Sequence, residues 1–476
     1  MNLFGKGVGM SGKLFRSRSE TEGMSRTSSQ ISKIKMNTSP ILKLNVNSLN
    51  KLFDWLTLKE LHALAQTCQR FKVICGAYYL LNYTPSAVCI DDGIVAHRHQ
   101  SRGVTYGYQL NIFCQYIEKM IIPSGSQNQF RYAEMNCGKA LTAIRFDGVV
   151  MTESKIKCIK RLLANVEAVE IVDCKMFIYI YEGFLKYCHK LKRLKIRNIQ
   201  FNTFLNKDKD WLLRKFPTLE HLDFTKCSSI KRSELEVLFK QNPNIRTFEL
   251  DMDQFWENKM VFLEACIMWN DLIIHFQDAK NPMTSTIYSL LNTFFNRGHF
   301  KRLHLRYSEV LKQPFIDQIA SLYAVDTIHM KEEAGSWLPS LINLRELYTF
   351  CGKLNMEKTV SNLANLEKVV FWEANVEDVL AIVRNSMRIR EIKIRTLNEK
   401  GRFSPNFNGK NFFNQNQLNL TALNEERKKI LGARKVSIFV NEDIFIATKW
   451  TTGETVHSLI ELKRVMMHEW NDLFQT

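Results

Sequence analysis

From Leu141 to Leu397 the apolar positions recur in one short phrase, apolar-x-x-apolar-x-apolar. It reads LTAIRF at Leu141, VEAVEI at Val166, LKRLKI at Leu191, LEHLDF at Leu219 and IRTFEL at Ile245. It returns as FKRLHL at Phe300, VDTIHM at Val325, LRELYT at Leu344, LEKVVF at Leu366 and IREIKI at Ile389. A degenerate copy, DLIIHF, starts at Asp271, and IEKMII at Ile117 is one more copy upstream. Successive starts lie between 19 residues (Val325 to Leu344) and 29 residues (Asp271 to Phe300) apart. The last two apolar residues of each copy are two apart, so on a strand they point the same way. Between the copies apolar residues fall at helical spacing: Ile156, Ile159, Leu162 and Leu163; Leu235, Val237, Leu238 and Phe239; Val376, Val379, Leu380 and Val383. One strand–helix unit cannot bury its own apolar face, but stacked neighbours can. The predicted fold class is therefore α/β, a curved array with parallel strands on the concave side and helices on the convex side.

A different rhythm precedes the array. LNVNSLNKLFDWL carries Leu44, Leu49, Leu52, Phe53, Trp55 and Leu56, and TLKELHALAQTCQRF carries Leu58, Leu61, Leu64, Cys68 and Phe71. Thr57, with Glu60 three residues on, predicts a capping box at the start of a second helix. Two short helices meet there and offer more apolar surface than so small a segment can bury internally.

After Leu397 the repeat breaks in an Asn- and Gly-rich stretch that reads as a loop. A short charged helix is expected at LNEERKKIL, and KVSIFV and IFIATKW read as strands. The expected organisation is a disordered Ser/Thr-rich basic tail at 1–40, a helical module at 41–83, repeats at 84–397, a loop at 398–420 and a capping segment at 421–476.

Composition narrows the function classes. Hydrophobic residues make up 45% of the 476, enough for a sizeable core. No long uncharged apolar run suggests a membrane span, and the first twenty residues lack the apolar stretch of a secretory signal. The 11 cysteines are scattered without a Cys-x-x-Cys pair, which fits reduced thiols in the cytoplasm or nucleus. Net charge is 66 − 48 = +18. Residues 1–43 hold eight basic and two acidic side chains, and the rest of the excess is diffuse. That is not the dense basic stripe of a nucleic-acid reader.

No Gly-x-Ser-x-Gly, His-Glu-x-x-His or Walker loop is present, so no catalysis is expected. Gly5, Gly7 and Gly9 lack the preceding strand and following Lys-Ser/Thr of a phosphate loop. His97 and His99 are too few to hold a metal. No cofactor or metal site is expected. On the concave side the residues between and after the paired apolar positions should face a partner. These are Glu170 and Val172, Lys195 and Arg197, Asp223 and Thr225, Glu249 and Asp251, then His304 and Arg306, His329 and Lys331, Tyr348 and Phe350, Val370 and Trp372, Lys393 and Arg395. Those expected to bind a target are Lys195, Arg197, Asp223, Glu249, Asp251, Arg306, Lys331, Tyr348, Phe350, Trp372, Lys393 and Arg395, since Arg and aromatic side chains dominate binding hot spots.

The repeats resemble the leucine-rich-repeat superfamily. Two copies reach a longer form ending in cysteine, Val166-Val169-Ile171-Cys174 and Leu219-Leu222-Phe224-Cys227, as in its cysteine-containing subclass. Cys there is expected as a small buried residue of the turn after the strand. The segment Leu44–Phe71 resembles the F-box, with Leu44 at the family's first Leu, Leu52-Phe53 at its Ile-Phe pair and Trp55-Leu56 at its Tyr-Leu pair. Asn45 stands where the family has Pro. Together the two resemblances imply a horseshoe preceded by a helical adaptor-docking module. They imply a non-catalytic substrate receptor of an SCF-type cullin–RING ubiquitin ligase. In it Leu44, Leu49, Leu52, Phe53, Trp55, Leu56, Leu61 and Leu64 would bind the Skp adaptor, and the repeats would hold a target for ubiquitination and proteasomal degradation. The alternative is a repeat scaffold or inhibitor with no ubiquitin role, its N-terminal leucines capping the stack.

Overall fold

The computed structural model describes residues 39–465, apart from 84–86, 92–93, 102–103, 110, 124–125, 139, 202–209, 228–229, 265–267, 277–283, 308–317, 331–337, 350–355, 398–416 and 453–458. The basic tail at 1–40 falls outside them but for its last two residues, as do Lys331 and Phe350. The chain divides into two units, residues 1–45 and 46–476. The described part of the first contains one 3-10 turn, Pro40–Lys43, with Leu44 exposed after it.

The second unit opens with three helices, α1 (Val46–Phe53), α2 (Leu58–Thr67) and α3 (Gln69–Tyr83). The capping box forms as the sequence suggests. The Thr57 hydroxyl accepts from the Glu60 amide at 3.2 Å, and the Glu60 carboxylate accepts from the Thr57 amide at 2.8 Å.

The sheet then begins with an antiparallel meander, β1 (Val88–Asp91), β2 (Ile94–Ser101) and β3 (Val104–Gln109). From β4 onward the pairing is parallel. The strands are β4 (Lys119–Pro123), β5 (Ala143–Asp147), β6 (Ala168–Val172), β7 (Arg193–Arg197), β8 (His221–Asp223), β9 (Thr247–Asp251) and β10 (Trp269–Phe276). They continue as β11 (Phe300–Tyr307), β12 (Val325–Met330), β13 (Glu346–Thr349), β14 (Lys368–Ala374), β15 (Glu391–Leu397), β16 (Val436–Val440) and β17 (Ile460–Arg464). β4 pairs with β1, and each later strand pairs in parallel with the one before it. Every copy of the repeat phrase contributes one strand. This is the leucine-rich-repeat fold.

The paired apolar residues point into one continuous core. Val169 and Ile171, Leu194 and Ile196, and Phe248 and Leu250 have no exposed surface. Helices cover that side. α4 (Glu153–Leu163) buries Ile156, Ile159, Leu162 and Leu163, α5 (Arg232–Gln241) buries Leu235, Leu238 and Phe239, and α6 (Val376–Asn385) buries Val379, Ile382 and Val383. Cys174 is fully buried, and its thiol donates to the carbonyls of Val172 (3.2 Å) and Phe146 (3.5 Å). Cys227 donates to Ile196 O at 3.0 Å. Burial raises the two thiols to about 11 and about 12, so both are structural rather than nucleophilic.

Two sequence expectations change beyond Leu397. The sheet does not stop there. KVSIFV forms β16 on β15, and β17 follows, so part of the segment expected as a cap supplies two further strands. The long insertion at 398–416 had hidden their spacing. IFIATKW, expected as a strand, lies in a helix, α8 (Glu442–Thr452), after α7 (Leu420–Lys428). The Asn441 side chain accepts from the Ile444 amide at 2.9 Å, and two acids occupy the first turn. Ile444, Phe445, Ala447 and Thr448 are buried, a helical face that overrides the local β-propensity.

Arg427 on α7 has no exposed surface. Its guanidinium donates to the carbonyls of Ser386 (2.6 Å), Met387 (3.0 Å), Val383 (3.2 Å) and Ile389 (3.4 Å), and its Nε to Arg434 O (3.1 Å). These include carbonyls that the end of α6 leaves open. Arg427→Met is expected to destabilise the chain by about 3–5 kcal/mol, because buried carbonyls lose their donors together. Denaturant unfolding measures it, and a loss below about 1 kcal/mol would contradict this role.

Candidate binding face

Parallel pairing in register arranges the outward side chains in rows. One row crosses seven strands as Arg145, Glu170, Lys195, Asp223, Glu249, Ile273 and His304. The next includes His275, Arg306, His329, Tyr348, Val370, Lys393, Phe439 and Lys463.

Glu249 is the centre of the first half. It is fully buried, and three side chains from other strands converge on its Oε1: Arg197 at 2.6 Å, His275 at 2.6 Å and Arg306. His221 approaches the other oxygen at 3.5 Å. Arg197 also meets Asp223 at 2.5 Å, and Asp223 accepts from the Thr225 amide and hydroxyl at 3.0 Å each. Burial alone would raise the Glu249 carboxyl. Arg306, Arg197 and the two histidine contacts outweigh it and hold the group well below the usual carboxylate range. Nearer the strand starts, Asp271 is gripped by Arg302 (2.6 Å) and His304 (3.0 Å). There too burial opposes and the partners prevail, bringing the carboxyl down to about 2.

Beside this hub lies a cavity of 260 Å³, lined among others by Arg145, Asp147, Glu170, Arg197, Asn198 and His275. Its rim uses the turns after β6, β7 and β8, where Asp173, Asn198 and Lys226 adopt positive φ (53°, 47° and 58°). The Asn198 amide donates to the Asp173 carboxylate, linking two of these turns.

The second half is aromatic and basic. Tyr348 stacks on His329 with ring centres 3.8 Å apart. The Arg395 guanidinium lies 3.3 Å over the Trp372 ring. Lys393 and Lys463 flank Phe439 at 5.2 and 5.5 Å.

Lys195, Arg197, Arg306, Trp372, Lys393 and Arg395 are half-buried on this face. Asp223 and Glu249 are fully buried, and Asp251 and Tyr348 nearly so. The two fully buried acids act by holding arginines in place rather than by touching a partner. Sequence reasoning missed Arg145, Asp147 and His275, although the rule used for the neighbouring copies reaches all three. Phe439 and Lys463 were missed because their strands were not recognised as repeats.

The helical module is largely consumed within the chain. Leu49, Phe53 and Leu61 have no exposed surface, and Leu52, Trp55, Leu56 and Leu64 are half-buried. Tyr79 stacks on Phe113, just ahead of β4, at 4.7 Å, and His62 meets the same ring edge-on at 5.7 Å. On the other side Arg464, the last residue of β17, reaches the α1–α2 junction. It donates to the carbonyls of Asp54 (2.5 Å), Leu56 (2.8 Å) and Phe53 (3.4 Å), and to the Tyr83 hydroxyl. Glu442, 3.4 Å from Arg464, accepts from the Leu58 amide (2.9 Å) and the Tyr83 hydroxyl (3.2 Å). Trp55 meets Trp450 edge-on at 5.1 Å. One helical block thus joins the start of the parallel strands to their end.

No protein-family model matches the chain, and no curated protein does. Many solved chains are similar at low level, and two serve as examples. One is a chain of the Toll–Spatzle complex of Drosophila, at 12% identity and TM-score 0.26, over 68% of this chain and 40% of that one. The other is an internalin (inlF) of Listeria monocytogenes, at 10% identity and TM-score 0.26, over 63% and 86%. Likenesses this distant carry no functional argument, and the fold assignment rests on the chain's own strands. No helix among the described residues is long and apolar enough to cross a membrane.

Two outcomes are expected. Glu249→Gln destabilises at neutral pH, and its gap to the wild type closes as the pH falls. The sign follows from a folded pKa below the unfolded one: the stabilisation is present above the ordinary carboxylate value and lost as pH falls through the depressed value. Denaturation midpoints at stepped pH measure it, and a constant gap would refute it. Arg464→Met should cost about 3–5 kcal/mol, since it removes a buried cation's bonds to three carbonyls and leaves the half-buried Glu442 unpaired. Hydrogen exchange should then rise in α1 and β17 together. Exchange confined to β17 would separate the module from the sheet.

Proposed function

We propose that this chain is a non-catalytic scaffold that binds a protein along the outward rows of its sheet. The observation that carries the reading is the array of charged and aromatic side chains held in register across the strands. Ion pairs and ring contacts already hold many of these side chains, so a partner would pay little rotamer entropy to engage them. Arginines and aromatic rings are the types that dominate hot spots.

The finer reading is a substrate receptor of a cullin–RING ubiquitin ligase, with the helical module on the Skp adaptor and the target on the sheet. An exposed apolar stripe on α3 supports it. Val73, Ala77, Leu80 and Leu81 stand at i, i+4, i+7 and i+8, with Val73 55% and Leu81 74% exposed. Docking there leaves the buried Leu49, Phe53 and Leu61 undisturbed.

Each level has its own test. Proteins captured from cells by the wild type should be lost with Lys195→Glu/Arg395→Glu. They should be retained with Lys157→Glu on α4, whose side chain is 71% exposed. Identical capture by all three would overturn the scaffold reading. Purified Skp adaptor should bind the wild type and lose at least about tenfold in affinity with Val73→Asp/Leu81→Asp, a factor of ten being about 1.4 kcal/mol. No binding to the folded wild type would overturn the ligase reading alone.

A further inference from the structure

The loops that lead into the strands carry a further row of their own. Ile328, Leu347, Val369 and Ile392 pair in register across β12 to β15. Five residues before each stand Tyr323, Ile342, Ala364 and Met387. All four are exposed, Tyr323 by 68%, Ile342 by 63% and Met387 by 55%. In the loop before β16, Leu431 is 94% exposed. It adjoins Gly432, where an added Cβ would lie 3.6 Å from the Met387 side chain. Apolar side chains scattered singly over a surface are ordinary, but these recur in successive loops at one edge. With strands roughly 4.8 Å apart, the row is roughly 19 Å long.

The row has a fixed base. The Asn343 side chain donates to the Tyr323 carbonyl at 2.8 Å, and the Asn365 side chain donates to the Ile342 carbonyl at 2.9 Å. The Arg388 guanidinium donates to Asn365 Oδ1 at 2.6 Å. Each of these loops is thus pinned to the next. Exposed cations stand among the apolar tips. Lys301, Arg388 and Arg434 each lie four residues before a paired strand position, at Leu305, Ile392 and Ile438. Arg345 and Arg390 pair with Asp326 (3.5 Å) and Glu367 (3.9 Å). Lys301, Arg388 and Arg434 have no carboxylate at ion-pair distance among the described residues.

Two features select the occupant. Side chains this exposed, on loop tips, offer no pocket for a partner's side chain and are themselves the parts that insert. A second copy of the chain would set the same arginines against one another. An anionic lipid surface meets both conditions. It admits protruding apolar side chains at the acyl boundary, and its headgroups pair with the cations beside them. Tyrosine suits the interface between the two. The chain's net charge of +18 favours its approach to such a surface.

We propose that this edge docks on an anionic membrane, with Tyr323, Ile342, Met387 and Leu431 inserted and Arg388 and Arg434 on the headgroups. The inference does not rest on the scaffold reading, since these loops lie outside the outward rows.

The test is cosedimentation of the full chain with vesicles of phosphatidylcholine, with and without phosphatidylserine. The wild type should bind the phosphatidylserine vesicles at least about tenfold more tightly, a difference of about 1.4 kcal/mol. Ile342→Asp/Leu431→Asp should lose at least about tenfold on those vesicles, and Arg388→Glu/Arg434→Glu should lose the preference for phosphatidylserine. Both pairs are exposed, so their melting temperatures should match the wild type. Hydrogen exchange at the Tyr323, Ile342, Met387 and Leu431 loops should fall when vesicles are added. No binding of the wild type to either vesicle would overturn the proposal and leave a protein as the occupant. Binding unchanged by the aspartate pair, with exchange at these loops unaltered, would also overturn it and assign adsorption to charge elsewhere, such as the basic tail.

Discussion

A strand–helix unit of about 25 residues cannot cover its own apolar face, and everything else in this molecule follows from that constraint. Each unit must lie against a neighbour, in parallel and in register, so that Val169, Leu194, Leu222, Phe248 and Leu272 form one continuous core layer. The same register that aligns the core aligns the opposite face. Charges that would be scattered on an irregular surface become rows, and a long side chain can skip a strand to reach a carboxylate two repeats away. Arg197 and Arg306 do this from opposite sides of Glu249.

Stacking also creates two ends that nothing inside the repeat can cover. Here both ends use the same three helices. Phe113 receives Tyr79 and His62 at one end, and Arg464 grips the α1–α2 junction at the other. The leucines and phenylalanine that resemble an adaptor-docking motif are therefore spent largely on the chain itself. What the module leaves exposed is another face, the outer stripe of α3. The buried ions, Arg464, Arg427 and Glu249, share one logic. Each lies where open backbone groups or opposing charges converge, and the full set of partners makes its burial tolerable.

The array was legible because its phrase repeats many times, and each copy corrects the ambiguity of the others. The capping box at Thr57–Glu60 was legible because its residues are three apart and act locally. β16 and β17 were not, since the insertion at 398–416 and α8 interrupt the period. IFIATKW was misread because Ile and Phe at helical and at alternating spacing look alike in so short a run. Asn441 and the packing around Phe445 made the choice. On the outward face the sequence named Arg197, Glu249, Arg306 and Trp372 but not how they pair, because Arg197 and Glu249 lie 52 residues apart.

The sequence by itself determined the repeat between Ile117 and Leu397, the direction of most of its apolar pairs and most residues of each row there, since these depend only on local period and strand geometry. The tertiary structure decided which charges are buried, which helix face stays open and how the two ends meet. Those outcomes depend on the packing of segments hundreds of residues apart. Arg464 and Leu56, separated by 408 positions, share a hydrogen bond that no local pattern encodes.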